Sequence, residues 1–167
     1  MTTNLFYTII DSPIGELLLM ATRRGLVRIA FESENRDAVL DEVAKQLSPR
    51  IMEAPRRLDP VRRELDSYFN GGLRDFDLDL DWSLAGPFAR RVLRRAARIP
   101  YGSVASYGEV ATGIGVPRGA RAVGNALGSN PIPVVVPCHR VVRTGGAMGG
   151  YGGGAPRKRW LLDLEAS

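Results

Sequence analysis

Cys138 and His139 are the only cysteine and the only histidine in the chain, and they are neighbours in Pro137-Cys138-His139-Arg140. Chance would place a single thiol beside a single imidazole in about 1 sequence in 80 of this length. Packing gives no reason for the pairing, whereas chemistry does. A thiol of ordinary pKa is only slightly ionised at neutral pH, so a nucleophilic Cys138 needs a base or a positive field beside it, and His139 is the only imidazole on offer. That imidazole needs an acceptor on its other nitrogen, for which Glu165 in the last predicted helix is a candidate. The bland alternative is an inert buried thiol next to a surface histidine. One Cys and one His cannot supply a three- or four-ligand zinc site without several carboxylates, so neither metal nor cofactor is expected.

The elements that must hold these residues follow from composition and pattern. With 44% hydrophobic and 25% charged residues in 167, the chain reads as one ordinary domain or two small ones. A single cysteine excludes an internal disulfide, and Met1-Thr2-Thr3-Asn4 runs into a strand-like segment without a signal-peptide pattern, so a cytoplasmic location is expected. No apolar stretch nears the roughly 20 residues that span a bilayer. The net charge of +5 is unevenly spread: residues 1–83 carry −4 and residues 84–167 carry +9, almost all of it arginine. Such a field attracts polyanions, and arginine can fork onto phosphates; a merely solvated basic surface is the alternative.

Leu5–Ile10, Glu16–Met20 and Gly25–Phe31 read as strands of an antiparallel meander, and Asp37–Leu47 and Pro60–Phe69 as helices with an apolar stripe, the second stopped by Gly71-Gly72. Phe76-Asp77-Leu78-Asp79-Leu80-Asp81 alternates strictly and predicts a half-buried strand whose aspartates face solvent. Acidic residues give way to arginines near Ser83–Pro87, which sets the boundary between domains 1–83 and 84–167. Beyond it the pattern predicts a helix from Phe88 to Ile99, a short one from Ser106, and a third over Arg118–Leu127, a helix-turn-helix pattern.

The third helix is nearly stripped of bulk. Gly119, Ala120, Ala122, Gly124, Ala126 and Gly128 leave Arg121 as its one long central side chain, despite the helix-propensity cost of about 0.8–1 kcal/mol per interior glycine. Either something approaches this backbone closely or the helix packs tightly on another, with Arg121 solvated. Residues 145–154 hold seven glycines around Tyr151 and precede a last helix over Arg157–Leu164, which favours a loop wrapping a site over a plain linker.

Pro137-Cys138-His139-Arg140-Val141-Val142 resembles the active-site signature of the O6-alkylguanine-DNA alkyltransferases. Ile99-Pro100-Tyr101-Gly102, Ser106-Tyr107, Arg121-Ala122-Val123-Gly124, Asn130-Pro131, Gly150-Tyr151-Gly152 and Trp160-Leu161-Leu162 fall in the same order and spacing, so the resemblance covers essentially all of residues 84–167 and, more loosely, the N-terminal part. It implies a small N-terminal α/β domain with an antiparallel sheet, ribonuclease H-like, followed by a mainly helical, winged-helix-like domain carrying the helix-turn-helix. It implies further that Cys138 accepts an alkyl group irreversibly from O6-alkylguanine, and from O4-alkylthymine, in duplex DNA. By the same resemblance His139 activates the thiol through water and Glu165 orients His139. Tyr107 contacts the flipped base, Arg121 fills its place in the stack, and Asn130 ties the third helix to the cysteine segment. Arg118, Ala120, Ala122 and Gly124 then face the minor groove, Tyr151, Gly152, Val141 and Pro133 line the alkyl pocket, and the protein is a monomer when free. Gly152 stands where relatives can carry Ser, so only a backbone contact is available there. Two rival classes remain open on the residues alone: a cysteine hydrolase using Cys138 and His139, and a DNA-binding regulator that leaves Cys138 unmodified.

Overall fold

Alternating burial along Leu5–Ile10 (β1) and complete burial of Leu17–Thr22 (β2) place these strands at the centre of a four-stranded sheet, in a computed structural model that describes residues 4–167. Met1, Thr2 and Thr3, expected to lead straight into the first strand, lie outside the described residues. β2 pairs antiparallel with β1 and with Gly25–Phe31 (β3), as the meander predicts. A short strand that the pattern did not reveal, Ile51–Glu53 (β4), adds parallel to β1, giving the order β3-β2-β1-β4. Three residues are too few for periodicity to register.

The helix Arg36–Gln46 (α1) starts where Asn35 accepts a hydrogen bond from the Ala38 amide, a normal N-cap. Its Val43, with Val39 and Leu40, packs on Leu5, Leu18, Met20, Val27 and Ala30 of the sheet. A 3₁₀ turn, Pro55–Leu58, lies against β1 and β2 and runs into Asp59–Phe69 (α2), whose Val61, Leu65, Tyr68 and Phe69 are buried. This unit ends at Leu84.

The predicted strand over 76–81 is not formed. Phe76, Leu78 and Leu80 are half-buried and Asp77 and Asp79 exposed, as alternation requires, but only Leu80 bridges to another strand, at Leu26. Asp81 departs from the pattern altogether: it is buried and accepts from the Thr22 hydroxyl at 2.5 Å and from the Ser83 amide at 2.9 Å. Alternation makes an extended segment, but a ladder needs its hydrogen bonds repeated along the strand, and here they stop at Leu26, whose amide donates to the Asp79 carbonyl and whose carbonyl accepts from the Asp81 amide.

The second unit, Ala85–Ser167, opens with Pro87–Ala96 (α3), which packs through Val92, Leu93 and Ala96 with Tyr107–Gly113 (α4) and Ala120–Gly128 (α5). α3 and α5 are shorter than the apolar stripes predicted. A reciprocal capping box begins α4, with Ser106 Oγ accepting from the Glu109 amide at 3.0 Å and the Glu109 carboxylate accepting from the Ser106 amide at 3.1 Å. Ala105–Ser106 (β5) pairs parallel with Val141–Val142 (β6), which brings the segment just after Cys138 against the start of α4. The last helix, Ala155–Ala166 (α6), packs on the 3₁₀ turn Cys138–Arg140.

Gly25 is the tightest point of the first unit: its φ is +141°, and a Cβ there would overlap the backbone of Asp79. Gly25→Ala is expected to lower stability by on the order of 2–3 kcal/mol in urea denaturation, through backbone strain together with loss of the Leu26–Asp79 hydrogen bond.

Candidate active site

Cys138 begins a 3₁₀ turn that is itself held by a strained lead-in. Val134 adopts φ 73°, a left-handed conformation that a β-branched residue reaches only when its surroundings impose it. This lead-in is closed by the Val136 amide on the Ile132 carbonyl at 2.9 Å and braced by Asn130, whose Nδ2 donates to the Val136 carbonyl at 3.0 Å while its Oδ1 accepts from the Ile132 amide at 3.0 Å. Asn130, two residues past α5, thus fastens that helix to the cysteine segment.

The Cys138 side chain is buried, and burial pushes its thiol up to about 11, opposed by the Asn130 side chain and the positive charge of Lys158. In this state Cys138 is a protonated thiol. His139 is completely buried behind it; Nε2 lies 2.8 Å from Glu165 Oε2, so it donates to the carboxylate and leaves Nδ1 as the acceptor nitrogen. Nδ1 is buried and has no hydrogen-bond partner among the described residues. Desolvation lowers the His139 pKa, and Glu165 only partly offsets it, so the ring is neutral at physiological pH.

Glu165 is no frayed terminal charge. It is buried on α6, with Oε1 2.7 Å from Arg140 Nε and Oε2 3.0 Å from Arg140 Nη2 in addition to its bond with His139. Arg140 spends its remaining nitrogen, Nη1, on the Ile99 carbonyl at 2.7 Å and lies over the Tyr101 ring at 5.7 Å. A fork of this kind holds the carboxylate plane, which a single donor cannot do. Lys158, fully buried, donates to the carbonyls of Val141 at 2.7 Å, Met148 at 2.5 Å and Gly150 at 3.1 Å, and so pins the glycine-rich loop to β6. Sequence reasoning gave neither Arg140 nor Lys158 a role. Lys158 had a signal: it is one of only two lysines beside 21 arginines, and three convergent carbonyls suit a compact ammonium better than a planar guanidinium.

Cys138 opens into a cavity of about 630 Å³ whose wall includes Tyr107, Ala120, Arg121, Gly124, Tyr151 and Gly152. Tyr107, first residue of α4, keeps its phenolic proton, since burial and the neighbouring thiol raise its pKa. Its hydroxyl lies so close to Gly149 (φ +74°) that a Cβ there would stand 2.7 Å away. The cavity therefore joins the thiol to α5. Arg118 and Ala122 are exposed outside its wall, and Val141 and Pro133 are buried beneath the surface, so the expected pocket residues are brought together only at Tyr151 and Gly152.

The bare surface of α5 divides into two parts. Gly119 is needed inside the protein, because a Cβ would meet Val116 at 3.0 Å. Gly128 faces nothing within 4 Å, and Gly124 would make only ordinary contact with the Tyr107 ring at 3.8 Å, so tight helix packing does not account for either. Among the described residues no group of three or more His, Cys, Asp or Glu side chains gathers as a metal site, and no helix is long and apolar enough to cross a membrane.

Fold and site together define a protein that sets one buried cysteine beside a histidine–glutamate pair in a helical domain, preceded in the chain by a small α/β domain. Residues 5–82 match the ribonuclease-like domain, and residues 87–167 the DNA binding domain, of 6-O-methylguanine DNA methyltransferase. The chain is 50% identical over 156 residues to the methylated-DNA–protein-cysteine methyltransferase of Mycobacterium leprae, covering 93% of this chain and 88% of that one. It is 43% identical over 159 residues to that of Mycolicibacterium paratuberculosis, covering 95% and 91%. Its structure superposes on Mycobacterium tuberculosis OGT in complex with DNA with a TM-score of 0.84 at 40% identity, covering 96% of this chain and 92% of that one. The chain belongs to the 6-O-methylguanine DNA methyltransferase family of DNA-repair proteins.

The raised thiol pKa makes a stability prediction with a definite sign. Between pH 9, where the thiol of the unfolded chain ionises, and about 11, where the native one does, only the native state keeps the proton, so stability falls as pH rises. Cys138 alone is expected to withdraw on the order of 2 kcal/mol across that window, measured as a gap in urea stability that closes between wild type and Cys138→Ser. A gap independent of pH would contradict the burial argument.

Proposed function

We propose that this protein repairs O6-alkylguanine, and O4-alkylthymine, in duplex DNA by moving the alkyl group irreversibly to Cys138. The observation that carries the reading is the single cavity shared by the buried thiol and the bare face of α5. A lesion oxygen stacked inside a duplex cannot reach a sulfur at the floor of such a cavity, so the nucleotide must leave the stack. α5 lies in the minor groove, where Ala120, Ala122 and Gly124 allow close approach, Arg118 contacts the flanking backbone, and Arg121 occupies the vacated position.

In the pocket, a water bonded to the acceptor Nδ1 of His139 relays the Cys138 proton, and Glu165 stabilises the imidazolium that forms. The sulfur attacks the alkyl carbon, the C–O bond breaks, and the departing guanine takes a proton from Tyr107 while Asn130 and the Tyr151 loop hold the pocket. Displacement at carbon needs no oxyanion hole, and the thioether has no built-in route back to the thiol, so each protein acts once. Cytoplasmic location and a monomeric free state belong to the same reading.

Incubation with excess duplex containing O6-methylguanine is expected to add one methylene equivalent of mass, on the Cys138 peptide, with a burst stoichiometric in protein. Repair continuing beyond one lesion per protein would end this reading. Arg121→Ala is expected to slow alkylation by duplex at least tenfold more than alkylation by free O6-benzylguanine, which needs no extrusion, because the wedge offsets a few kcal/mol of unstacking. Equal losses on both substrates would instead make Arg121 a pocket residue.

A further inference from the structure

The helix that borders the cavity is almost free of charge, whereas the helix packed against it is crowded with it. α5 carries Arg121 alone; α3 carries Arg90, Arg91, Arg94 and Arg95, with Arg98 just past its end, and no carboxylate. Val92, Leu93 and Ala96 form the buried side of α3, so at about 100° per residue the five arginines fall on the opposite arc. Arg90, Arg91, Arg94 and Arg98 are exposed and Arg95 is half-buried.

This arrangement works against the helix that bears it. Arg90 and Arg94, Arg91 and Arg95, and Arg94 and Arg98 are like charges one turn apart, and Arg90 and Arg91 sit near a helix N-terminus that lacks any acidic residue in its first turn. Among the described residues, Arg90, Arg91, Arg95 and Arg98 pair with no carboxylate; Arg90 donates to the Ala85 carbonyl at 2.9 Å and Arg91 to the Ile114 carbonyl at 2.5 Å. The Arg95 guanidinium lies on Gly113, where a Cβ would run into it. Two heads of the ridge thus end at the turn between α4 and α5, which continues through exposed Arg118 to Arg121. Arginines thus stand on both sides of this turn, on α3, whose Arg91 and Arg95 reach it, and at Arg118 and Arg121 where α5 begins.

Resting on the DNA reading above, we infer that the α3 ridge is a second DNA-binding surface that grips the phosphate backbone of the same duplex, beyond the stretch occupied by α5. Guanidinium forks suit phosphate oxygens, and each phosphate so neutralised releases condensed counterions. Five of the twelve Lys and Arg residues of 84–167 lie on this ridge. The ridge therefore adds sequence-independent affinity, and α5 supplies access to the lesion.

The test is the salt dependence of binding to an undamaged duplex. In Arg90→Gln/Arg98→Gln, the slope of log affinity against log salt is expected to fall by about two, and affinity near 0.1 M salt to drop roughly tenfold. Arg90→Lys/Arg98→Lys should restore the slope, since a point charge suffices for counterion release. A thermal midpoint at or above that of wild type shows that the Gln variant folds with its repulsion relieved. Wild-type slope and affinity in the Gln variant would overturn the inference, as would capture of a free labelled duplex by protein held on a bead-bound one, which would put the ridge on separate DNA. Failure of the wild type to bind any duplex would instead remove the reading on which the inference rests.

Discussion

The carboxylate of Glu165 is the point on which the site depends. Its two oxygens take two bonds from Arg140 and one from His139, all inside the protein, and Arg140 extends the chain of bonds to the Ile99 carbonyl just past α3. Three segments far apart in sequence therefore meet at one buried charge. Removing a single partner from such an arrangement leaves an uncompensated ion in a medium that cannot solvate it, which costs several-fold more than an exposed pair contributes. The geometry that orients His139 is thus the same geometry that docks α6 on the cysteine turn.

Arg140 also answers an electrostatic question. A lone buried carboxylate beside His139 would favour imidazolium in the resting protein. The guanidinium balances that charge, and desolvation then decides in favour of the neutral ring with its acceptor nitrogen free for a proton. Cys138 is held in the complementary state, protonated by burial, with Lys158 and Asn130 moderating the effect. Thiol and imidazole are both uncharged at rest, and neither attracts stray electrophiles as an exposed thiolate would.

Local strain and local bareness are placed where the cavity needs them. The left-handed Val134 lies in the segment that aims Cys138, held there by Asn130 and the Ile132–Val136 bond. The glycines of α5 cost helix stability without a packing return at Gly124 and Gly128, which leaves an external approach as their use. Lys158 gives the glycine-rich loop a definite course by collecting three of its neighbours' carbonyls, so flexibility of composition does not become flexibility of the pocket.

The sequence by itself determined the local terms: the adjacent thiol and imidazole, the strands β1 to β3, the helical stripes of α1 and α2, the bare third helix, and the glycine-rich loop with Tyr151. These are legible because periodicity, capping and residue type act over a few positions. Only tertiary structure decided what depends on a partner distant in sequence. The alternation of 76–81 forms one bridge, at Leu26 of the edge strand β3, and Asp81 turns inward because Thr22 waits there. Arg140 and Lys158 have no role in the sequence until a carboxylate and three carbonyls are brought to them, and a buried charge is tolerable only once those partners converge. β5 meeting β6 is the same kind of event, and by it Tyr107 comes to stand at the cavity of Cys138.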